Sequence, residues 1–412
     1  MIKNANRNQI SKAKPVLNWD KICSEPYRLL FPLGTASAVI GIGIWIPYYF
    51  WPQAFSYPGQ GHAVIQIQAF MLCFIFGFLT TMLPKILGVK PLDPASYIAF
   101  PALLIGILTA SLLNAPLVAQ SFHLLLLLNF LGFVFRRFPQ RRSNPPPAFL
   151  FIAVAMLVDM LGTLAKLAAL SGALSDTFTS PVLRAGAILQ YQAFPFLLIL
   201  GVGGFLLPKL FANGPIDPQS LRLSSGLGMT VPVTLCALFL TSYGIEIINV
   251  FKGYGSIGLQ IAYALRALVW IWFIFMEIRV HKVPGKMHLY LSIARISLYA
   301  MAVALVMPIL LPKYMLAWEH VIFITGFMSL TLSIASRVLA AHAGRPEILS
   351  MHGRMVKTYG ILIVLSMLTR VATDIWPGSH YMHLAIASAL ALTALYLWGK
   401  IFVPLVKIYP GR

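Results

Sequence analysis

Long apolar runs alternate with short polar segments along the whole chain. Most runs approach the roughly 20 residues that an α-helix needs to cross a hydrocarbon core of about 30 Å. The separators contain proline, glycine and polar residues, which end helices and form turns. The pattern predicts an all-α integral membrane protein of about twelve transmembrane helices: Leu30–Trp51, His62–Leu83, Ala95–Leu113, Leu117–Phe135, Ala148–Leu170, Gly186–Leu207, Gly226–Val250, Ile257–Glu277, Leu289–Leu311, Ala317–Ala341, Thr358–Ile375 and His380–Leu405.

Composition agrees with this fold class. Hydrophobic residues make up 59% of the chain and charged residues 10%, against roughly 25% charged in soluble domains. No soluble domain interrupts the spans, so residues 30–405 form one membrane domain. Residues 1–29 form a basic tail without the apolar stretch of a cleavable signal peptide, and residues 406–412 form a short second tail.

The chain carries 31 Lys and Arg but only 11 Asp and Glu. In so apolar a chain this excess indicates membrane orientation rather than a nucleic-acid partner, because basic residues collect in cytoplasmic connections. The odd-numbered connections offer only Lys252 and Lys313, with Arg184 and Arg370 near span ends. The even-numbered connections carry Lys85, Lys90, Arg136, Arg137, Arg141, Arg142, Lys209, Arg222, Arg279, Lys282, Lys286, Arg345, Arg354 and Lys357. We therefore expect both termini to be cytoplasmic.

Two spans end in similar sequences. The second closes with GFLTTMLPK (Gly77–Lys85) and the sixth with GGFLLPK (Gly203–Lys209). Two related six-helix halves would explain the similarity. The general use of Pro and Lys at the end of a span would explain it equally well.

Ionisable residues within the spans are candidates for a site, because they are costly in a membrane and usually face the bundle interior. Asp159 and Lys166, seven residues apart, share a helix face and form either a structural pair or part of an ion path. Arg266, Arg295 and Arg337 could bind carboxylates, including haem propionates or Asp159.

Five histidines fall on the predicted outer side. They are His62, His123, His320, His380 and His383, the last two on one helical face. Imidazole is a ligand of haem iron and of copper, so these residues are candidates for a shared metal or haem site. A histidine at a membrane interface is otherwise a hydrogen-bonding residue. Cys23, Cys73 and Cys236 lie far apart and predict no thiolate metal site.

From Glu319 to Pro346, which covers the tenth span and its exit, the chain reads EHVIFITGFMSLTLSIASRVLAAHAGRP. This segment resembles the NnrS family of bacterial membrane proteins. The family has a His at the outer end, small residues through the helix, an Arg, and then His-(Thr/Ser)-Gly-Arg. The matching residues are His320, Arg337, His342, Gly344 and Arg345, with Ala343 replacing the hydroxyl residue. Without the resemblance, His342 and Arg345 read equally well as cations that cap the negative end of a helix.

A second segment, His62 to Pro84, resembles the family's His-x-His-Glu run and the Gly-Phe-Leu that follows it. His62 and Gly77-Phe78-Leu79 match. The family's second His and its Glu fall on Val64 and Ile65. Loss of these two residues weakens any metal site built there and its supporting shell.

The resemblance implies a bacterial inner-membrane protein that binds haem and copper and acts in the response to nitric oxide. His62, His320 and His342 would be ligands, with Arg337 or Arg345 beside a haem propionate. Two alternatives remain open: a secondary transporter that uses Asp159, Lys166, Arg266 and Arg295 at a midplane site, and a component that supports assembly of respiratory metal centres. No GxxxxGK[ST] motif for ATP-driven transport is present.

Overall fold

The computed structural model describes residues 19–211, 228–253, 255–282 and 288–407. Within them, twelve helices are long and apolar enough to cross a membrane, which confirms the predicted fold class. They are α1 (Tyr27–Phe50), α2 (Gly59–Leu87), α3 (Pro94–Leu112), α4 (Pro116–Gln140), α5 (Phe149–Leu170), α6 (Asp176–Phe211), α7 (Thr230–Lys252), α8 (Ile257–Glu277), α9 (Leu289–Leu310), α10 (Pro312–His342), α11 (Gly353–Ile375) and α12 (Pro377–Val406).

Several helices extend beyond their apolar runs. The sixth begins at Asp176 rather than at Gly186, and the eleventh at Gly353 rather than at Thr358. Hydropathy marks the part of a helix that suits lipid, and polar turns can continue the helix past it. The short separator before Pro116 is confirmed, with Asn114 in the left-handed conformation (φ 53°) that asparagine tolerates. The predicted start at Gly226 and most of both tails lie outside the described residues.

The helices pack in three successive groups of four: α1–α4, α5–α8 and α9–α12. In each group the first helix packs on the second, the second on the third, and the third on the fourth. Contacts of α4 with α5, α8 with α9 and α12 with α1 join the groups and close a ring. The high burial of α2, α6 and α10, which recurs at every fourth helix, favours groups of four over the two six-helix halves considered from the sequence. The similar segments at Gly77–Lys85 and Gly203–Lys209 lie in α2 and α6, the second helices of their groups.

The second helix of each group lies innermost. In α2, α6 and α10 the most apolar stretches are 78%, 67% and 67% buried, against at most 50% in the other nine spans. All three contain π-helical turns, at Ile65–Met71, Leu189–Ala193 and Val321–Met328. Such turns widen a helix locally and often occur at functional sites. Together these helices surround the centre of the ring.

Glycines bring α5 and α6 into close contact. A Cβ added at Gly186 would lie 2.9 Å from the Gly162 carbonyl oxygen and 2.8 Å from Lys166 Cγ. A Cβ added at Gly162 would lie 3.0 Å from the Gly186 carbonyl oxygen. Small residues let backbones approach in this way in membrane helix pairs. The contact holds the Lys166 side chain against α6.

Candidate functional site

A cavity of about 780 Å³, here called the central cavity, lies between α2, α6 and α10. Its lining includes Tyr57 and Asn114, exposed residues of the α1–α2 and α3–α4 connections. The cavity therefore reaches the side of the bundle that carries the odd-numbered connections, called the odd-loop side. The opposite, even-loop side carries both ends of the described chain. The volume falls within the range of roughly 300–1,000 Å³ typical of small-molecule and cofactor pockets.

Two of the predicted histidines face this cavity from different helices. His62 lines it from α2 and His320 from α10. The Nδ1 atom of His62 lies 2.7 Å from the Gly41 carbonyl oxygen, and that of His320 lies 2.8 Å from the Leu316 carbonyl oxygen. A carbonyl oxygen can only accept, so each Nδ1 carries the proton and each Nε2 keeps its lone pair. A hydrogen bond on the second ring nitrogen is also the usual arrangement in metal-bound histidines.

Arg370 and His380 line the same cavity from α11 and α12. Arg370 is buried and pairs with Asp374 at 3.2 Å, while also donating to the Thr373 hydroxyl. The Thr373 carbonyl oxygen lies 3.4 Å from His380 Nδ1. This side of the cavity therefore contains a cation paired with its own counter-ion, Arg370 with Asp374. It also contains a third imidazole, that of His380.

Arg266 of α8 is completely buried behind the part of the cavity wall that α7 and α10 form. Its guanidinium carbon lies 3.7 Å and 4.9 Å from the ring centroids of Tyr243 and Tyr263, and the group is ion-paired with Glu246. Glu319, next to His320, accepts hydrogen bonds from Tyr263 at 3.2 Å and from Gln192 at 2.8 Å. Both glutamates line the central cavity. Neither glutamate was among the predicted site residues. The position of each within an apolar span is the sequence feature that could have identified it.

A second buried polar network joins α2, α4, α5 and α6. The His123 Nε2 atom lies 3.1 Å from Asp159 Oδ2, and both side chains are 1% exposed. Gln190 donates to the Thr163 hydroxyl and to Gln120, and Gln68 donates to Gln190. Asp159 therefore pairs with His123, not with Lys166 as the shared helix face suggested. His123 lies outside the lining of the central cavity.

Lys166 points from α5 into the cavity wall. Its Nζ atom donates to the Tyr191 hydroxyl at 2.7 Å and lies 3.9 Å from the centroid of the same ring. Lys166 is 6% exposed, and within the described residues no carboxylate lies at ion-pair distance from it. Arg184, exposed at the odd-loop side, lines the cavity from α6, as Tyr191 does.

The remaining predicted site residues lie elsewhere. His342 is on the even-loop side, with Lys85 at 3.0 Å from its Nε2 atom and the Tyr27 ring at 5.0 Å. Arg337 and Arg345 also lie outside the cavity lining, and Arg345 pairs with Glu347. Arg295 lies beside Tyr299, and His383 beside Trp376. The structure does not bring these five side chains together with His62 and His320.

Among the described residues, no group of three or more His, Cys, Asp or Glu side chains is placed to hold a metal ion. The five histidines predicted on one side thus divide into three that line the central cavity and two that do not. Cys23, Cys73 and Cys236 are buried and unpaired.

The sequence profile of a family described as NnrS protein matches residues 21–407, nearly the whole chain. No curated protein matches the chain. The profile covers all twelve spanning helices and every residue of the central cavity.

Proposed function

Because the chain belongs to the NnrS family, we propose that the central cavity binds haem and that the protein acts in the response to, or relief of, nitric oxide stress. The observation that carries the proposal is the pair formed by His62 and His320. They face one cavity from two inner helices, each with Nδ1 held by a carbonyl and Nε2 left as a donor to iron.

The cavity suits haem in size and in donor chemistry. Its volume of about 780 Å³ can hold a large planar group, and most of its wall is apolar. Arg370, already fixed by Asp374, would bind a propionate with the donors that remain. Arg370 therefore replaces Arg337 and Arg345 as the proposed propionate partner. When bound, haem would supply an iron that takes nitric oxide as a ligand.

The residues of this chain would position the group and exclude water from it. The carbonyls of Gly41 and Leu316 fix the tautomer of each imidazole and limit rotation of each ring. Copper is not included in this proposal, because the described residues form no site with three protein donors.

Two features make a secondary transporter the weaker candidate. Each four-helix group has an even number of spans, so all three groups run through the membrane in the same direction. Inverted repeats, on which many transporters depend for alternating access, have opposite directions. Among the described residues, the loops that line the central cavity are all on the odd-loop side. The buried cations Lys166 and Arg266 are the features that favour a transporter.

Optical spectra and metal analysis of the detergent-purified protein, oxidised and reduced, test the proposal. We expect a Soret band that shifts when nitric oxide is added. His62→Ala and His320→Ala should each remove or strongly shift the band, because each deletes one proposed ligand. His342→Ala and His383→Ala are matched controls outside the cavity and should leave it unchanged. A purified protein with no Soret band, or one equally affected by all four changes, would contradict the proposal.

A further inference from the structure

Charge balance around the central cavity singles out its α5–α6 wall. Arg370 is paired with Asp374. Arg266, which lies behind the α7 and α10 wall, is paired with Glu246. Lys166 lines the cavity with no carboxylate at ion-pair distance in the described part of the chain. A buried charge normally needs such a partner, since removal from water is costly. The Lys166 side chain thus lacks the directly contacting carboxylate that Arg266 and Arg370 have.

The nearest acid along its own helix does not supply that charge directly. Asp159 lies two turns away on the same face of α5, where its Oδ2 atom contacts His123. On the α6 side, the Tyr191 hydroxyl is a neutral acceptor at 2.7 Å. An ammonium has three N–H groups, and Tyr191 takes one of them.

Arg184 extends the cationic surface to the odd-loop side. It is exposed, lines the cavity, and precedes Tyr191 by seven residues in α6, from which both side chains line the cavity. Arg184 therefore marks an exposed point on this wall, and Lys166 marks a buried point on the same wall. A negatively charged ligand would meet Arg184 first and be neutralised at Lys166 after losing its water.

We propose that Lys166 and Arg184 form a binding subsite for a small oxyanion or carboxylate in the central cavity, with Lys166 as the charge that retains it. Tyr191 positions the Lys166 side chain by accepting its hydrogen bond, and the Tyr191 hydroxyl can donate one hydrogen bond to a bound anion. The subsite is separate from the two histidines, and the inference does not depend on haem. A free anion such as nitrite and a haem carboxylate share the required chemistry.

Thermal unfolding of the detergent-purified full chain provides the test. Sodium chloride is replaced stepwise by sodium nitrite at constant ionic strength, in protein with and without bound haem. A ligand that binds only the folded state raises the midpoint in a saturable way. We expect that rise in the haem-free wild type, and an apparent Kd at least about tenfold weaker in Lys166→Met, because a charged hydrogen bond is lost.

Three further variants separate binding from folding. Lys166→Arg keeps the charge and should keep the nitrite response, whereas Arg184→Gln should weaken it less than Lys166→Met does. Lys313→Met is the matched control, because Lys313 is an exposed odd-loop lysine outside the cavity lining. A response lost only in haem-loaded protein, together with lower haem retention in Lys166→Met, identifies the carboxylate as the occupant.

Two outcomes would overturn the subsite. One is an equal midpoint rise in the wild type and in Lys166→Met. The other is no saturable rise in haem-free wild type together with unchanged haem retention in Lys166→Met. Neither outcome bears on the Soret band of the histidine variants, so this inference and the haem proposal can fail separately.

Discussion

At the scale of residues, most charged side chains inside the bundle are stabilised by neighbours from other helices. Arg266 of α8 has Glu246 and Ser242 of α7 as partners, with two tyrosine rings beside the guanidinium. His123 of α4 has Asp159 of α5. The sequence showed that these residues would be buried, because they lie in apolar spans. It could not show their partners, since the partners come from helices whose packing the sequence leaves open.

Arg266→Met should leave the Glu246 carboxylate buried without its counter-ion. Breaking one side of a buried pair typically costs about 3–5 kcal/mol. We expect a clear fall in the thermal midpoint and in the yield of monodisperse protein on size-exclusion chromatography. The double variant Arg266→Met with Glu246→Gln should recover most of the loss, because it removes both charges. A double variant no better than the single one would show that Arg266 acts through packing rather than through Glu246.

The histidines show how far residue-level reasoning reaches. Charge alternation predicts that they share one side of the membrane, and His62, His320 and His380 do line one cavity. His383 follows His380 by three residues, yet it lies outside the lining, beside Trp376. Helical spacing places two side chains on one face, but the tilt and length of the neighbouring helices decide which of them meets the cavity.

At the scale of elements, helix ends and close contacts depend on features that hydropathy does not measure. The α6 helix extends through the polar segment after Asp176, and this extension carries Arg184 into the cavity lining. The π-helical turns of α2, α6 and α10 are invisible to a search for apolar runs. Each shifts the side chains that follow it relative to a regular helix. The sequence therefore predicted the number of spans well and the orientation of their faces poorly.

Gly186→Leu should force α5 and α6 apart, because its Cβ alone would already lie 2.8 Å from Lys166 Cγ. Overpacking of this kind typically costs about 1–3 kcal/mol. We expect a lower thermal midpoint and, since Lys166 is displaced, a weaker nitrite response. Gly132→Leu in α4 is the matched control, because a Cβ there meets nothing within 4 Å. Equal destabilisation by both changes would show that loss of glycine, not the contact, is responsible.

At the scale of the whole molecule, three groups of four helices surround the central cavity. The similarity between Gly77–Lys85 and Gly203–Lys209 was the sequence signal of this arrangement, at a separation of four spans. A separation of four spans fits groups of four, whereas the six-helix halves considered from the sequence would place related segments six spans apart. Every group begins and ends on the even-loop side, where the sequence also places most basic residues.

Cysteine labelling can test the predicted orientation, in which the even-loop side is cytoplasmic. The three native cysteines are buried, so their background should be low. Gln53→Cys, in the exposed α1–α2 connection, should react with a membrane-impermeant maleimide on intact cells or spheroplasts. Gln140→Cys, exposed at the end of α4, should react only after permeabilisation. The reverse pattern would invert the topology and place the central cavity on the cytoplasmic side.

Closure of the ring has a consequence for biosynthesis. The last helix, α12, packs on α1, and Arg28 donates to the carbonyl oxygens of Val406 and Lys407 near the end of the described chain. His380 and Ala391 of α12 also line the central cavity. All twelve spans must therefore be synthesised before the cavity has all its walls. A site that encloses its occupant from every side is complete only once α12 has packed against α1.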